Sequence, residues 1–298
     1  MLTADRLKGI LPAIPTPVRA DDTVDETALR ALFSWLLKQG IDGVVPLGGT
    51  GEYGALARAE RSRTARLSVE AMAGHGPVIA GVLDTGFHDA LQAGREFAAE
   101  GVDGLLVLTP YYTNPTQAGI RDYFLRYADA SPVPVLIYEI PYRTRIAIDP
   151  PVLHELSRHE NIIGMKACNT DMYHFLRVVA GVDESFTVLS GEDSLFPLHV
   201  AAGAKGGIVV TANLLPKAWR QIFDLASTGQ TQAALAAHRR LIPFMNMAFA
   251  ETNPGPMKAV MDLIGVDAPR LLAPLVAAQP SLVSEFRAEV KRQLAISE

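Results

Sequence analysis

The stretch PVPVLIYEIPYRTRIAIDPPVLHELSRHENIIGMK, residues 132–166, decides the fold class of this 298-residue chain. It opens with an apolar run from Pro134 that is typical of a buried strand, and it ends with a second such run from Ile162. The segment 150–158 between the two runs has the spacing of an amphipathic helix. Two buried strands joined by a helix indicate a parallel crossover, so this stretch predicts a β–α–β unit.

The same strand-then-helix pattern recurs in both directions along the chain. We predict eight strands, which begin near Ile10, Gly43, Pro77, Gly104, Pro134, Ile162, Phe186 and Gly206. Eight helices follow them, over 25–39, 58–73, 87–100, 117–130, 150–158, 171–181, 193–203 and 215–228. Eight such units close into a (β/α)8 TIM barrel. An open doubly wound sheet is the alternative, but no G-x-G-x-x-G motif follows the first predicted strand.

The end of the chain differs from the repeating part. It contains three more helical stretches without strand character, near 230–250, 255–265 and 280–295. We therefore predict a barrel over 1–228 and a C-terminal helical extension over 229–298 that packs on the barrel as part of the same unit.

Composition excludes several classes of protein. Hydrophobic residues make up 49% of the chain, and no apolar run approaches the length of about 20 residues that spans a bilayer. The first ten residues, MLTADRLKGI, carry charges where a secretory signal is apolar, so a cytoplasmic protein is expected. The net charge is −5 and the basic residues are dispersed, which argues against nucleic-acid or membrane partners and favours a small-molecule substrate.

Metal and cofactor chemistry has no support in the sequence. Cys168 is the single cysteine, so neither an intramolecular disulfide nor a thiolate metal site is expected. No H-E-x-x-H or G-x-S-x-G motif occurs. We therefore predict no metal and no cofactor.

Two predicted strand ends carry reactive side chains, and in a barrel of this type the active site lies at the carboxyl ends of the strands. Lys166 ends the run IIGMK, and strand alternation places it on the same face as Gly164. On the interior face its amine would be desolvated and able to form a Schiff base with a carbonyl, whereas on the exterior it is a lysine in solvent. Tyr138 ends the preceding strand, where it is either a proton donor and acceptor beside that amine or a core tyrosine.

Two further positions are candidates for binding carboxylates. The turn PLGGTGE, residues 46–52, places three glycines around Thr50, so that backbone N–H groups and the hydroxyl could form an anion nest. An ordinary strand-to-helix turn is the alternative. Arg143 follows the fifth predicted strand, where it either clamps a second carboxylate or lies on the surface.

Seven motifs together resemble the dihydrodipicolinate synthase and N-acetylneuraminate lyase family of class I aldolases over essentially the whole chain. They are GGTGE (48–52), TPYY (109–112), YEIPYRT (138–144), GMK (164–166), SGED (190–193), GGIVVTAN (206–213) and NPGPMK (253–258). The resemblance implies that Lys166 is the Schiff-base lysine and that Tyr138 shuttles protons. It also implies that Thr50, with the backbone around Gly49, holds the carboxylate of pyruvate, and that the main chain at Ile208 lines the same pocket.

The resemblance extends to the second substrate and to assembly. Tyr112 is similar to the tyrosine that reaches into a neighbouring subunit's site in synthases of this family. Arg143 is similar to the arginine that binds the carboxylate of the aldehyde partner. A homotetramer, built as a dimer of dimers, is implied.

Three positions depart from the pattern of the family. Gly49 stands where the synthases usually have a hydroxyl residue, so the proton relay between Tyr138 and Tyr112 lacks its middle group. Glu139 replaces a common asparagine, and Ala167 replaces a common glutamate. Alternation turns Glu139 toward the helix layer, where a buried carboxylate needs a partner.

The resemblance implies a pyruvate-dependent Schiff-base lyase. The best single assignment is a dihydrodipicolinate synthase that uses pyruvate and aspartate semialdehyde, which Tyr112 and Arg143 favour. An aldolase or dehydratase of 2-keto-3-deoxy sugar acids is the alternative that Gly49 favours. A non-catalytic keto-acid-binding protein is a third hypothesis, which the presence of both Lys166 and Tyr138 disfavours.

Overall fold

In the described part of the chain, seven parallel strands form the centre of the fold. They are β1 (Gly9–Pro12), β2 (Ile79–Val82), β3 (Gly104–Leu108), β4 (Val135–Glu139), β5 (Ile162–Ala167), β6 (Thr187–Ser190) and β7 (Gly206–Val209). In the computed structural model, which describes residues 2–297, their order is β1-β7-β6-β5-β4-β3-β2. Every strand residue is buried, because helices cover the outer face and side chains fill the interior.

The short segment 43–46 closes this sheet into a barrel. On one side the Val45 N–H donates to the carbonyl of Pro12 at 2.9 Å, and on the other the Val44 N–H donates to the carbonyl of Pro77 at 3.0 Å. The hydrogen-bond ladder therefore returns from β2 to β1. The predicted (β/α)8 barrel is confirmed, and the open sheet is wrong.

The closing segment is less regular than the strand that we predicted from Gly43. It pairs only through single bridges, one to each neighbour. Pro46 has no N–H to donate, and Leu47 has a φ of 64°, which turns the chain out of the extended conformation. The remaining seven strands begin within two residues of their predicted positions.

Among residues 2–297, thirteen helices surround or follow the strands. They are α1 (Glu26–Lys38), α2 (Arg58–Met72), α3 (Phe87–Ala99), α4 (Gln117–Ala130), α5 (Pro141–Thr144), α6 (Pro150–Leu156), α7 (Met172–Val179), α8 (Phe196–Ala201), α9 (Pro216–Ser227), α10 (Thr231–Arg239), α11 (Ile242–Ala248), α12 (Gly255–Lys258) and α13 (Pro280–Ser297). Capping residues determine where some of these helices begin: the carboxylate of Asp25 caps α1, and the Thr116 hydroxyl caps α4. No helix among the described residues has both the length and the apolar composition needed to cross a bilayer.

The C-terminal extension contains shorter helices than predicted. The single helix expected over 230–250 is divided into α10 and α11, since Pro243 in the first turn of α11 cannot donate to a continuing ladder. The helix expected over 255–265 is the short α12 and a 3₁₀ turn, Met261–Ile264. The last predicted helix, 280–295, is present as α13. The boundary between 228 and 229 falls between α9 and α10 and stays a prediction.

Candidate functional site

A cavity of about 760 Å³ lies at the carboxyl ends of the strands. Five of the predicted site residues line it, namely Gly49, Thr50, Tyr138, Arg143 and Lys166. A second cavity, of about 830 Å³, lies at the opposite end of the barrel beside the segment 2–8, and none of the predicted residues lines it. Because barrel enzymes use the carboxyl ends of their strands, the first cavity is the candidate active site.

Lys166 and Tyr138 are adjacent within this cavity. They are paired residues of β5 and β4, so both side chains point to the interior at the same height. The Lys166 Nζ lies 4.7 Å from the centroid of the Tyr138 ring, and each residue is only 5% exposed. Burial raises the pKa of Tyr138, as does the neighbouring Cys168, while the Arg143 guanidinium acts in the opposite direction. The amine therefore lies against a buried phenol, as proton transfer at an imine requires.

Lys166 occupies space that is free because residue 191 is a glycine. A Cβ at position 191 would lie 2.7 Å from the Lys166 Cγ and 2.9 Å from its Cε, and it would overlap the sulfur of Cys168. Both clashes involve buried side chains. The sequence identifies Gly191 only as part of the SGED motif, because its close approach to Lys166 on the neighbouring strand cannot be seen in a linear pattern.

Thr50 lies at the inner edge of the glycine-rich turn 48–52. It is 4% exposed, and its Oγ1 accepts a hydrogen bond of 2.9 Å from the Nδ2 of Asn253 in the C-terminal extension. A Cβ at Gly51 would lie 2.8 Å from the backbone nitrogen of Leu47, so only glycine allows the turn to fold this tightly. The turn therefore has a defined shape where it lines the cavity.

A buried ion pair ties the same turn to the extension. The Lys258 Nζ donates to Glu52 Oε1 at 2.7 Å and to the carbonyl of Thr16 at 2.9 Å, while the Leu272 N–H donates to Glu52 Oε2 at 2.7 Å. Burial lowers the pKa of Lys258, and Glu52 opposes that shift. Sequence reasoning assigned no role to either charged residue, although both belong to quoted motifs, since their pairing spans 206 positions.

Gly49 and Arg143 face each other at the mouth of the cavity. A Cβ at Gly49 would meet only the guanidinium of Arg143, at 3.9 Å, and no other heavy atom within 4 Å. Arg143 belongs to the short helix α5 and is exposed. The space that a hydroxyl side chain at position 49 would occupy is thus open, and the Arg143 guanidinium borders it.

Two predicted residues lie outside the cavity of the single chain. Tyr112 is 88% exposed and has a φ of 72°, so its ring projects from the loop after β3. Ile208 is fully buried in β7 beside Leu11, and it is Val210, two residues later, that lines the cavity. The roles of Tyr112 and Ile208 stay predictions.

Asp193 is a buried acid that sequence reasoning did not single out. Its carboxylate accepts hydrogen bonds from the Thr211 hydroxyl at 2.7 Å, the Thr211 N–H at 2.9 Å and the Val210 N–H at 3.2 Å. Burial raises its pKa to about 6, and these hydrogen bonds oppose the shift. Asp193 therefore fixes the chain that forms the wall at Val210. Tyr142 and Asn253 also line the cavity and were not predicted.

Glu139 has the partner that its burial requires. Its Oε1 accepts from the Ile148 N–H at 3.1 Å and lies 3.3 Å from the Nε2 of His174 in α7. The neighbouring Glu139 carboxylate raises the pKa of His174, against desolvation of the ring; Asp171 adds to the rise and Arg177 opposes it. The departure from the family at position 139 thus couples the end of β4 to the helix layer.

We expect the stability contributed by His174 to decrease as the pH rises. Its pKa is higher in the folded protein than in the unfolded chain, so the ion pair contributes in full below the ordinary value of 6.5 and is lost as the pH rises through the folded value. Urea unfolding of the wild type and of His174→Gln, from about pH 6 to about pH 9, measures this difference. Glu139→Gln is the control and should remove most of the pH dependence. A difference that grows with pH would contradict the pairing.

Among residues 2–297, no three His, Cys, Asp or Glu side chains are grouped so that they could hold a metal ion. The cavity brings together Lys166, Tyr138, Thr50 and Arg143, which supply a buried amine, a phenol, a hydroxyl and a guanidinium.

Comparisons with known proteins identify the family of the chain. Residues 6–293 match the dihydrodipicolinate synthetase family. A 4-hydroxy-tetrahydrodipicolinate synthase of Acidiphilium cryptum is 35% identical over 94% of this chain and 96% of its own length. The crystal structure of dihydrodipicolinate synthase from Aquifex aeolicus is 32% identical and superposes with a TM-score of 0.92 over 96% of this chain and 98% of its own.

A third similar protein was solved with a ligand. It is the chloride-inhibited dihydrodipicolinate synthase of Acinetobacter baumannii complexed with pyruvate, 28% identical, with a TM-score of 0.92 over 96% of this chain and 99% of its own. These findings confirm the predicted class of enzyme, a lyase of the class I aldolase type. With nearly its whole length matched, this chain belongs to the dihydrodipicolinate synthetase family.

Proposed function

We propose that the protein is a 4-hydroxy-tetrahydrodipicolinate synthase, which condenses pyruvate with aspartate semialdehyde through a Schiff base on Lys166. The observation that carries this proposal is the contact of a buried lysine amine with a buried tyrosine, 4.7 Å from Nζ to the ring centroid, in a cavity that also contains Thr50. The names of the relatives support the choice of reaction.

The reaction begins at the amine of Lys166. The neutral amine adds to the keto carbon of pyruvate, and loss of water gives an imine that withdraws electrons from the methyl carbon. Tyr138 takes and returns the protons of these steps, since its phenol lies beside the amine. Loss of a methyl proton gives an enamine, whose carbon attacks the aldehyde. The amino group of the semialdehyde then displaces Lys166 and frees the enzyme.

Carboxylate binding orients both substrates. We assign the pyruvate carboxylate to the Thr50 hydroxyl and the backbone N–H groups of the turn 48–52, since such groups donate hydrogen bonds to an anion. We assign the carboxylate of the semialdehyde to Arg143, whose guanidinium lies at the mouth and can bind it with two parallel hydrogen bonds. Two separate groups of the cavity thereby bind the two anions.

One observation favours the alternative substrate class. The open space at Gly49 lets a larger substrate approach the cavity than a threonine or serine would allow. A 2-keto-3-deoxy sugar acid, with several hydroxyl groups, is such a substrate.

Assembly is part of the proposal. We propose a homotetramer in which Tyr112, exposed on the loop after β3, enters the cavity of a neighbouring subunit. A tyrosine that is 88% exposed buries most of its ring on such contact, and this burial supports association. We also propose a cytoplasmic location, which suits the free thiol of Cys168.

We expect aspartate semialdehyde with pyruvate to react faster than any 2-keto-3-deoxy sugar acid, and Arg143→Ala to raise the KM for the semialdehyde. Loss of a charge-assisted bidentate contact costs about 1.5–3 kcal/mol, or roughly 10- to 100-fold in KM. Steady-state kinetics with each substrate, at saturating pyruvate, measure both effects.

The matched control is Arg145→Ala, which removes an exposed arginine that does not line the cavity. This variant should leave the KM for aspartate semialdehyde and the KM for pyruvate unchanged. Turnover of a sugar acid without turnover of the semialdehyde would replace the synthase proposal by the alternative. Unchanged kinetics in Arg143→Ala would remove that residue from the site.

A further inference from the structure

We infer that Asn253 is a positioning residue, whose side-chain amide aims the Thr50 hydroxyl at the carboxylate of the bound keto acid. The inference rests on the proposed function, because it takes Thr50 as the group that binds pyruvate. Asn253 lies outside the predicted barrel, in the loop between α11 and α12 of the C-terminal extension.

The hydrogen bond between the two side chains sets the direction of the hydroxyl. Asn253 Nδ2 donates to Thr50 Oγ1 at 2.9 Å, and the two residues are only 8% and 4% exposed. A hydroxyl has one proton to donate. Since Thr50 accepts from Asn253, its own proton is directed elsewhere, and the cavity that both residues line is where a carboxylate can receive it.

The second atom of the amide indicates that Asn253 serves the cavity as well as the fold. Its Oδ1 is buried and has no hydrogen-bond partner among residues 2–297. A buried amide that held only the fold together would have both ends paired, because an unpaired polar atom costs free energy. The unpaired carbonyl is available to a donor that enters the cavity with the substrate.

Both sides of the contact are held rigidly. The turn that carries Thr50 is anchored through Glu52, and the loop that carries Asn253 continues into α12, whose Lys258 binds the same Glu52. The ion pair is fully buried, at side-chain exposures of 1% and 0%. The distance between Asn253 and Thr50 is therefore fixed before a substrate arrives, as positioning requires.

The test compares a keto acid with its uncharged methyl ester. Pyruvate and methyl pyruvate present the same keto group to Lys166, but the ester lacks the carboxylate. We expect Asn253→Ala to raise the concentration of pyruvate that half-saturates borohydride trapping by roughly tenfold, and that of methyl pyruvate by much less, since a hydrogen bond to an anion is the stronger one. A merely structural role would weaken trapping of both ligands equally. Because both ligands are measured on the same variant, an unfolded fraction of the protein does not change the ratio of their half-saturating concentrations.

Two further variants sharpen the result. Asn253→Asp keeps the size of the side chain but introduces a carboxylate that accepts the Thr50 proton and repels pyruvate, so the loss for pyruvate should exceed that of Asn253→Ala. In Thr50→Val the hydroxyl is absent, and adding Asn253→Ala should cost little more. Equal weakening of both ligands, or additive losses in the double variant, would overturn the inference. Absence of any trapped adduct in the wild type would instead overturn the proposed function.

Discussion

Lys166→Ala should form no borohydride-trapped adduct with pyruvate, and its kcat should fall by roughly 10⁴-fold or more, because the variant lacks the amine that makes the covalent bond. The measurement is the mass of the peptide that contains Lys166 after reduction, together with steady-state kinetics. In the wild type this peptide should gain the mass of a reduced pyruvyl group. The effect is the largest that we expect from a single substitution.

Lys205→Ala is the matched control for this experiment. Lys205 is exposed and borders the second cavity, at the other end of the barrel. Its replacement should change neither trapping nor turnover. A wild-type adduct found on Lys205 instead of on Lys166, or full activity in Lys166→Ala, would show that the reaction does not pass through a Schiff base on Lys166.

Tyr138→Phe should lower kcat by roughly 10²- to 10⁴-fold while the adduct on Lys166 still forms, although slowly. The substitution removes one oxygen from a buried ring and keeps the packing against Lys166. Because burial raises the pKa of Tyr138, its phenol is protonated in the empty cavity at neutral pH and is ready to donate. Single-turnover trapping separates this effect on proton transfer from any effect on pyruvate binding.

Tyr127→Phe is the control for the loss of a buried hydroxyl. The Tyr127 hydroxyl donates to the carbonyl of Ala90 at 3.0 Å and does not line the cavity. We expect a loss of about 1 kcal/mol in the free energy of unfolding and an unchanged kcat. If the two variants lost activity to the same extent, the effect at Tyr138 would be one of stability, and its role in proton transfer would be refuted.

The strand ends were predictable from the sequence because parallel strands impose a simple geometry. Alternation along IIGMK and VLIYE places Lys166 and Tyr138 on one face, and adjacent strands bring them to the same height, as the pairing in the structure confirms. The register of the closing segment 43–46 was less predictable, since a proline and a positive φ interrupt it.

Contacts between distant parts of the chain could not be predicted in the same way. Asn253 reaches Thr50 across 203 positions, and Lys258 reaches Glu52 across 206. Neither pair follows from periodicity, because side-chain contacts at that separation depend on how the extension packs. For Glu139, the sequence predicted only that a buried carboxylate needs a partner, and the structure shows that this partner is His174. Tyr112 is a different case, because its proposed role depends on a second subunit.

The link between the turn 48–52 and the loop at Asn253 has a consequence for biosynthesis. Proteins fold from the N-terminus as they leave the ribosome, so β1, the turn and most of the barrel emerge while residue 253 is still untranslated. Until the extension arrives, Thr50 lacks Asn253 and Glu52 is a carboxylate without Lys258. The turn 48–52 therefore reaches its final contacts only after residue 258 has been made, so completion of the cavity is a late event in the synthesis of the chain.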